Sequence, residues 1–157
     1  MVVLLTLLSC SQRHQYSFAP GDVVPDNVLD IMEELFLKSY PIERVRLIDY
    51  YDADDEKSMA ANNTTCFNWR SKSGSTQISK HALGLAIDIN PLYNPNYKFF
   101  EGTETVRPIE GTPYIDRLSG YPDQIEEGDD CYNAFISHGF TWGGSWRSVT
   151  DYQHFEK

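Results

Sequence analysis

Residues 81–91 (HALGLAIDINP) carry the clearest structural pattern in the chain. Leu85, Ile87 and Ile89 alternate with other residues, so they lie on one face of a β-strand. Ala86 and Asp88 lie on the opposite face, and a proline follows at position 91. The pattern predicts a strand from which the carboxylate of Asp88 projects away from the hydrophobic row.

Two helices are predicted on either side of this strand. The first has Asp26 as its cap and ends before Pro41, and its apolar residues recur at helical spacing: Val28, Leu29, Met32, Leu35 and Phe36. The second is short, runs from Cys131 to His138, and ends at Gly139.

The remaining segments predict short strands and long connections. Alternation over residues 44–51 indicates a strand, residues 52–61 a polar loop or short helix, and residues 92–120 long irregular connections. This mixture predicts an α+β fold, with a small antiparallel sheet flanked by a few helices. A length of 157 residues fits one domain, which we assign to residues 20–157.

The charge of the chain argues against one class of partner. The formal net charge is −10, and the basic residues form no block that could neutralise phosphates. We therefore expect no nucleic-acid binding, and we expect a monomer whose acidic loops are solvated.

The first residues resemble the end of an export signal. Residues 1–8 (MVVLLTLL) are apolar except for Thr6, and Ser9 and Cys10 follow as in a lipoprotein cleavage site. No lysine or arginine precedes the apolar run, so a frayed hydrophobic end is the alternative. We predict a leader and linker over residues 1–19, a lipid anchor at Cys10, and a location in the periplasm or cell envelope.

The other two cysteines and three aromatic residues leave alternatives open. Cys66 and Cys131 could form one disulfide after export, or could be two buried thiols. The aromatic residues Trp142, Trp146 and Tyr152 could line a substrate groove or belong to the core, and we favour the core for at least one of them.

Two histidines stand close to aspartates in the sequence. His81 precedes Asp88 by seven residues, and Asp151 precedes His154 by three. Catalytic zinc takes three nitrogen or oxygen ligands from the protein, and a further carboxylate can remove a proton from water. Each of these residues could also have a purely structural role, so spacing alone leaves the metal site open.

Three motifs together resemble one family. Residues 79–91 (SKHALGLAIDINP) resemble its first zinc motif, residues 142–146 (WGGSW) with 151–155 (DYQHF) its second, and residues 67–70 (FNWR) a substrate-binding segment. The family comprises zinc D-alanyl-D-alanine carboxypeptidases and L-alanyl-D-glutamate endopeptidases, and the resemblance is to its endolysin-like branch. It implies a hedgehog/DD-peptidase fold and a metallopeptidase that hydrolyses peptidoglycan peptides.

The resemblance also implies roles for single residues. His81, Asp88 and His154 would bind Zn²⁺, and Asp151 would be the general base. Arg70 would bind a substrate carboxylate or polarise the scissile carbonyl, with a surface ion pair as its alternative. Ser79 would orient the substrate, or would be a turn hydroxyl.

Two reactions and one non-catalytic function follow from the resemblance. The Trp-Gly-Gly motif favours an endopeptidase, although a carboxypeptidase would use the same centre. The alternative is a non-catalytic, zinc-containing module that binds the cell wall, because a fold does not by itself guarantee catalysis. Asp151 argues against that alternative, since an inert domain needs no base beside a metal ligand.

Overall fold

The computed structural model describes residues 24–157, apart from residues 73, 119 and 122. The predicted leader, the lipid anchor at Cys10 and the start of the domain at residue 20 lie outside the described residues. Within the described part, no helix has the length and apolar character needed to cross a membrane. The helices are α1 (Val24–Leu37), α2 (Asp55–Ala60) and α3 (Asp130–Ser137).

Within residues 24–157, where the structure describes the chain, the strands are short and form three separate sheets. They are β1 (Arg44–Val45), β2 (Asn63–Thr64), β3 (Ala86–Asp88), β4 (Asn96–Phe100), β5 (Thr103–Arg107), β6 (Thr141–Trp142), β7 (Thr150–Asp151) and β8 (His154–Glu156). One antiparallel sheet has the order β3-β8-β6 and another has the order β5-β4-β7, while β1 and β2 form a parallel pair. Small antiparallel sheets with a few helices confirm the α+β prediction.

The core lies between the two longer helices and one face of the β3-β8-β6 sheet. Phe155 in β8 is fully buried, and its ring stacks on that of Phe135 in α3 at 4.1 Å. Ile31 and Leu35 of α1 belong to the same cluster, together with Ile87 of β3. Because side chains alternate along a strand, β8 turns Phe155 into this core and turns His154 toward the other face of the sheet.

The predicted first helix is present, but two of its details are wrong. The helix begins at Val24, so Asp26 lies inside its first turn and does not precede it as a cap. Phe36 was expected in the apolar stripe, yet 81% of it is exposed. The buried residues Val28, Met32 and Leu35 define the stripe, and at 100° per residue Phe36 falls at its edge.

Two other segments also differ from prediction. The strand expected over residues 44–51 stops after Val45, because the side chain of Asn63 accepts a hydrogen bond from the Arg46 backbone N–H at 2.8 Å; residues 48–51 form a 3₁₀ helix. Residues 92–120 are not irregular throughout, since β4 and β5 form a hairpin there. Glu101 and Gly102 at its tip both have positive φ, as a tight hairpin turn requires.

The predictions for two shorter segments hold. The segment 52–61 contains the short helix α2, and the helix predicted from Cys131 to His138 is α3. Gly139 follows it with a φ of 81°, a conformation that glycine adopts without steric cost.

Cys66 and Cys131 do not form the disulfide that was one of the two alternatives. Cys131 is fully buried in α3, beside the hydroxyl of Tyr40. Burial raises the pKa of its thiol well above the ordinary value, so Cys131 stays protonated and unreactive. Cys66 and Cys131 are therefore not joined to each other, and Cys66 is only half-buried.

Candidate metal centre

His81 and Asp88 are brought together by a tight reversal of the chain. His81 begins a 3₁₀ turn that ends at Gly84, where a φ of 69° lets the chain turn into β3. The hydroxyl of Ser79 accepts a hydrogen bond from the backbone N–H of His81 at 3.3 Å and so stabilises the start of the turn. Asp88 then lies on the face of β3 opposite Ile87, as the alternation predicted.

The register of the sheet adds His154 to this pair. Asp88 of β3 is the direct cross-strand partner of His154 in the antiparallel β3-β8 ladder. Directly opposed residues of antiparallel strands have side chains close together on the same face. The sheet therefore places the second histidine against the aspartate without any long flexible connection.

Three candidate ligand residues converge at this point. Asp88 Oδ1 lies 2.9 Å from His154 Nδ1, and Asp88 Oδ2 lies 3.2 Å from His81 Nε2. The two imidazole nitrogens are themselves 3.2 Å apart, and all three residues are buried. In a tetrahedral zinc site with bonds of about 2.0 Å, neighbouring ligand atoms lie about 3.3 Å from one another. The spacing of these residues is therefore close to that of a tetrahedral site, and the cluster could hold a metal ion.

The outer nitrogen of each imidazole also has a partner. His81 Nδ1 lies 2.8 Å from the backbone oxygen of Cys66, and His154 Nε2 lies 3.2 Å from Glu156 Oε2. Each ring can donate the proton of its outer nitrogen to this oxygen, so a neutral ring would have its lone pair on the inner nitrogen. The centre of the Trp146 ring lies 5.3 Å from that of the His154 ring.

The charges at the centre stabilise one another. Burial raises the pKa of Asp88, but the adjacent His81 and the hydrogen bonds from both histidines outweigh burial and hold that pKa well below its usual range. Burial lowers the pKa of His154, yet hydrogen bonds to Asp88 and Glu156 raise it to about 10. Without a metal, a proton on His154 Nδ1 therefore supplies the positive charge that Asp88 requires.

Asp151 lies beside the cluster, with one buried carboxylate oxygen and a raised pKa. Its Oδ1 is buried and has no hydrogen-bond partner among the residues that the structure describes, while its carboxylate is hydrogen-bonded to the side chain of Asn96. Burial and the negative charge of Asp88 raise the pKa of Asp151 to about 6. A carboxylate with such a pKa can exchange protons near neutral pH.

Asp151 and His154 both pack closely against Gly143. A Cβ atom on Gly143 would lie 2.7 Å from the backbone oxygen of Asp151 and 3.2 Å from the Cβ of His154. Only glycine fits so close to both residues. The Trp-Gly-Gly sequence therefore has a steric reason in the packing of the 3₁₀ turn Gly143–Ser145 against β7 and β8.

Arg70 lies on a segment that is tied to the residues around His81. The backbone oxygen of Arg70 accepts a hydrogen bond from Ser79 N at 3.1 Å. Its Nη2 forms an ion pair with Asp55 Oδ2 at 3.1 Å, and the other oxygen of Asp55 accepts a hydrogen bond from the side chain of Asn68 at 3.0 Å. The ion pair that was the alternative for Arg70 is thus present, but Nε is buried and has no partner among the described residues.

The aromatic residues divide between the core and the site. Trp142 belongs to the core, where its Nε1 donates a hydrogen bond to the backbone oxygen of Tyr152 at 2.8 Å. Tyr152 packs against the same cluster. Of these three aromatic residues, Trp146 is the one whose ring lies beside a candidate metal ligand, the imidazole of His154.

Several contributors to the site were missed in the sequence. Glu156 follows His154 by two residues in a strand, so the period of two would have placed both on one face. Nothing in the sequence pointed to the backbone oxygen of Cys66 or to the side chains of Asp55 and Asn96, because these groups meet the site only through the tertiary fold.

A comparison with protein families agrees with this geometry. The family model described as D-alanyl-D-alanine carboxypeptidase matches residues 73–157, which is more than half of the chain. The match includes His81, Asp88, Asp151 and His154 and leaves out Arg70. No curated protein and no solved structure matches. The chain belongs to the D-alanyl-D-alanine carboxypeptidase family of peptidases.

Proposed function

We propose that the protein is a zinc peptidase that hydrolyses peptide bonds in the stem peptides of peptidoglycan. His81, Asp88 and His154 would bind the metal. The observation that carries the proposal is the convergence of two imidazole nitrogens and one carboxylate within 2.9–3.2 Å of one another in a buried site. Family membership supports the choice of substrate class.

The ligand set favours catalytic zinc over structural zinc. Structural sites use four ligands and are rich in cysteine, whereas catalytic sites commonly use three protein ligands of nitrogen and oxygen type. The cluster has two histidines and one aspartate, and includes no cysteine among the described residues. When bound, zinc would polarise the scissile carbonyl and lower the pKa of a water molecule toward neutrality.

Asp151 would move the proton during hydrolysis. Its unpartnered Oδ1 can accept a proton from the attacking water and later give it to the departing amine. In the metal-free protein, burial and Asp88 raise its pKa to about 6, which makes Asp151 a stronger base there than an ordinary aspartate. These features support its assignment as general base.

Arg70 would bind the substrate. Asp55 fixes the guanidinium through Nη2, and the buried, unpartnered Nε is a donor that a carboxylate or carbonyl oxygen of the substrate could satisfy. Ser79 would act indirectly, because its hydroxyl already accepts the hydrogen bond from the backbone of His81. We therefore assign Ser79 to the positioning of His81.

The non-catalytic alternative explains less of the site. A buried carboxylate with a raised pKa reduces folding stability at neutral pH, as Asp151 does here. A module that only bound the cell wall would gain nothing from this cost. Burial of Asp151 beside the cluster therefore favours the enzyme.

Digestion of purified muropeptides tests the proposal. The zinc-loaded protein is incubated with stem peptides, and the products are identified by mass spectrometry. We expect cleavage that a chelator abolishes and added zinc restores. Loss of a terminal D-alanine would indicate a carboxypeptidase, and cleavage between L-alanine and D-glutamate the endopeptidase that the Trp-Gly-Gly motif favours. Stem peptides that remain intact with zinc present would refute the proposal.

A further inference from the structure

Glu156 is a carboxylate that the proposed reaction does not use, yet it contacts a proposed metal ligand. Its Oε2 lies 3.2 Å from His154 Nε2, the nitrogen that faces away from Asp88. Only 27% of its side chain is exposed. A carboxylate held in this way against an imidazole loses rotamer freedom, so the contact calls for a physical reason.

The strand that carries both residues sets their positions relative to each other. β8 is the middle strand of its sheet, and Glu156 is paired there with Ala86 on one side and Thr141 on the other. Glu156 and His154 are two residues apart, so their side chains share one face. The backbone of both residues is thus held by two ladders of hydrogen bonds, so the contact is made between residues of one paired strand.

The two histidines of the cluster differ in what holds their outer nitrogens. The outer nitrogen of His81 faces a neutral backbone oxygen, that of Cys66, at 2.8 Å. The outer nitrogen of His154 faces a carboxylate. A charged acceptor binds an N–H more strongly than a neutral one and pushes electron density toward the opposite nitrogen of the ring. When both rings are neutral, His154 Nδ1 is therefore the more electron-rich of the two inner nitrogens.

We propose that Glu156 is a positioning residue that holds the His154 ring with its proton on Nε2 and so strengthens metal binding at Nδ1. The inference rests on the proposed metal centre. It assigns to Glu156 a part in metal affinity, while hydrolysis itself remains with Asp151 and Arg70.

Zinc affinity measured at one fixed pH tests this role separately from activity. The apparent dissociation constant is obtained by competition with a chromophoric chelator for wild type, Glu156→Ala and Glu156→Gln. Glu104→Gln is the matched control, because Glu104 is also a strand glutamate but is exposed on the hairpin. Thermal unfolding of the zinc-free proteins shows whether the fold is intact.

We expect Glu156→Ala to weaken zinc binding by about 10- to 100-fold, as removal of a carboxylate behind a ligating histidine does. Glu156→Gln should lose less, because its amide oxygen can still accept from Nε2 without the charge. The control should match wild type, and the Tm of the zinc-free variants should change little. Loss of zinc affinity without loss of stability is a result that a merely structural role would not give.

Two results would overturn the inference, and they differ in scope. Zinc affinity of Glu156→Ala within about twofold of wild type would overturn the role of Glu156 and leave the metal centre standing. Should Glu156→Ala fail to fold, Glu156→Leu, which fills the space but offers no acceptor to His154 Nε2, is measured in its place, and affinity equal to that of Glu104→Gln would have the same meaning. A wild-type chain that takes up no zinc would overturn the metal centre and the inference together.

Discussion

Replacement of Asp151 by asparagine should raise the stability of the protein and lower its activity. The change keeps the size of the side chain and removes its charge. In the metal-free protein, burial and the charge of Asp88 raise the pKa of Asp151 from 3.8 to about 6. A raised carboxyl pKa means that the folded state holds the proton more tightly than the unfolded state. Ionised Asp151 therefore destabilises the fold as the pH rises through this range.

The magnitude follows from the two pKa values. The difference between 3.8 and about 6 corresponds to about 3 kcal/mol of lost stability, fully present above about pH 6 and almost absent below about pH 4. Asparagine removes the charge but keeps a polar group in a buried site, so we expect a net gain of about 1–3 kcal/mol at pH 8. For a chain of this size that gain raises the Tm by roughly 3–9 °C.

The assay compares chelator-treated wild type and Asp151→Asn by calorimetry at pH 8 and pH 4. The gain in Tm should be large at pH 8 and should shrink at pH 4, where wild-type Asp151 is already protonated. Asp30→Asn is the control, because Asp30 is exposed on α1 and its replacement should change stability by less than about 0.5 kcal/mol at either pH.

Turnover should move the other way. Without a proton acceptor at this position, we expect muropeptide hydrolysis to fall about 10²- to 10⁴-fold, although zinc remains bound. Turnover within tenfold of wild type would refute the role of general base. A variant whose stability gain is the same at both pH values would refute the electrostatic reasoning.

Two further predictions concern the metal and the substrate. Hydrogen bonds to Asp88 and Glu156 raise the pKa of His154 to about 10, so zinc binding at pH 7 should release about one proton. Calorimetry in buffers of different ionisation enthalpy measures this release. His154→Ala should bind no zinc, and zinc uptake by wild type without proton release would contradict the assignment of His154 as a ligand. Arg70→Lys should lower kcat/KM by about 10- to 100-fold because a lysine lacks the forked donors, while the Tm stays nearly unchanged; an unchanged kcat/KM would exclude Arg70 from substrate binding.

Several features of the site and its surroundings could be predicted from the sequence because they depend on local geometry. The alternation of Leu85, Ile87 and Ile89 put Asp88 on the face opposite the core, and the structure has it there. The short helix that ends before Gly139 was equally readable, since glycine marks a helix end through its own backbone conformation. Such signals are complete within a few residues, so no tertiary contact is needed to interpret them.

The hairpin β4-β5 was not predicted, because its strands lack the alternation of apolar residues that indicates a strand. Most residues of both strands are exposed or half-buried, with Val106 the main exception, so the strands carry no regular apolar row. Apolar residues alternate along a strand when one face is buried, and a hairpin that is largely exposed to solvent therefore shows little alternation. The strand expected over residues 44–51 failed for the opposite reason, because the side chain of Asn63 ended a ladder that the pattern alone would have continued.

The sequence by itself determined which residue types can bind a metal and on which face of its strand Asp88 lies. Only the tertiary structure decided that these residues meet, because the meeting depends on the register that sets Asp88 opposite His154. The same is true of the groups around them, namely the Cys66 backbone oxygen, Asp55 and the burial that raises the pKa of Asp151. Distances and desolvation are properties of the packed chain, and local sequence patterns do not contain them.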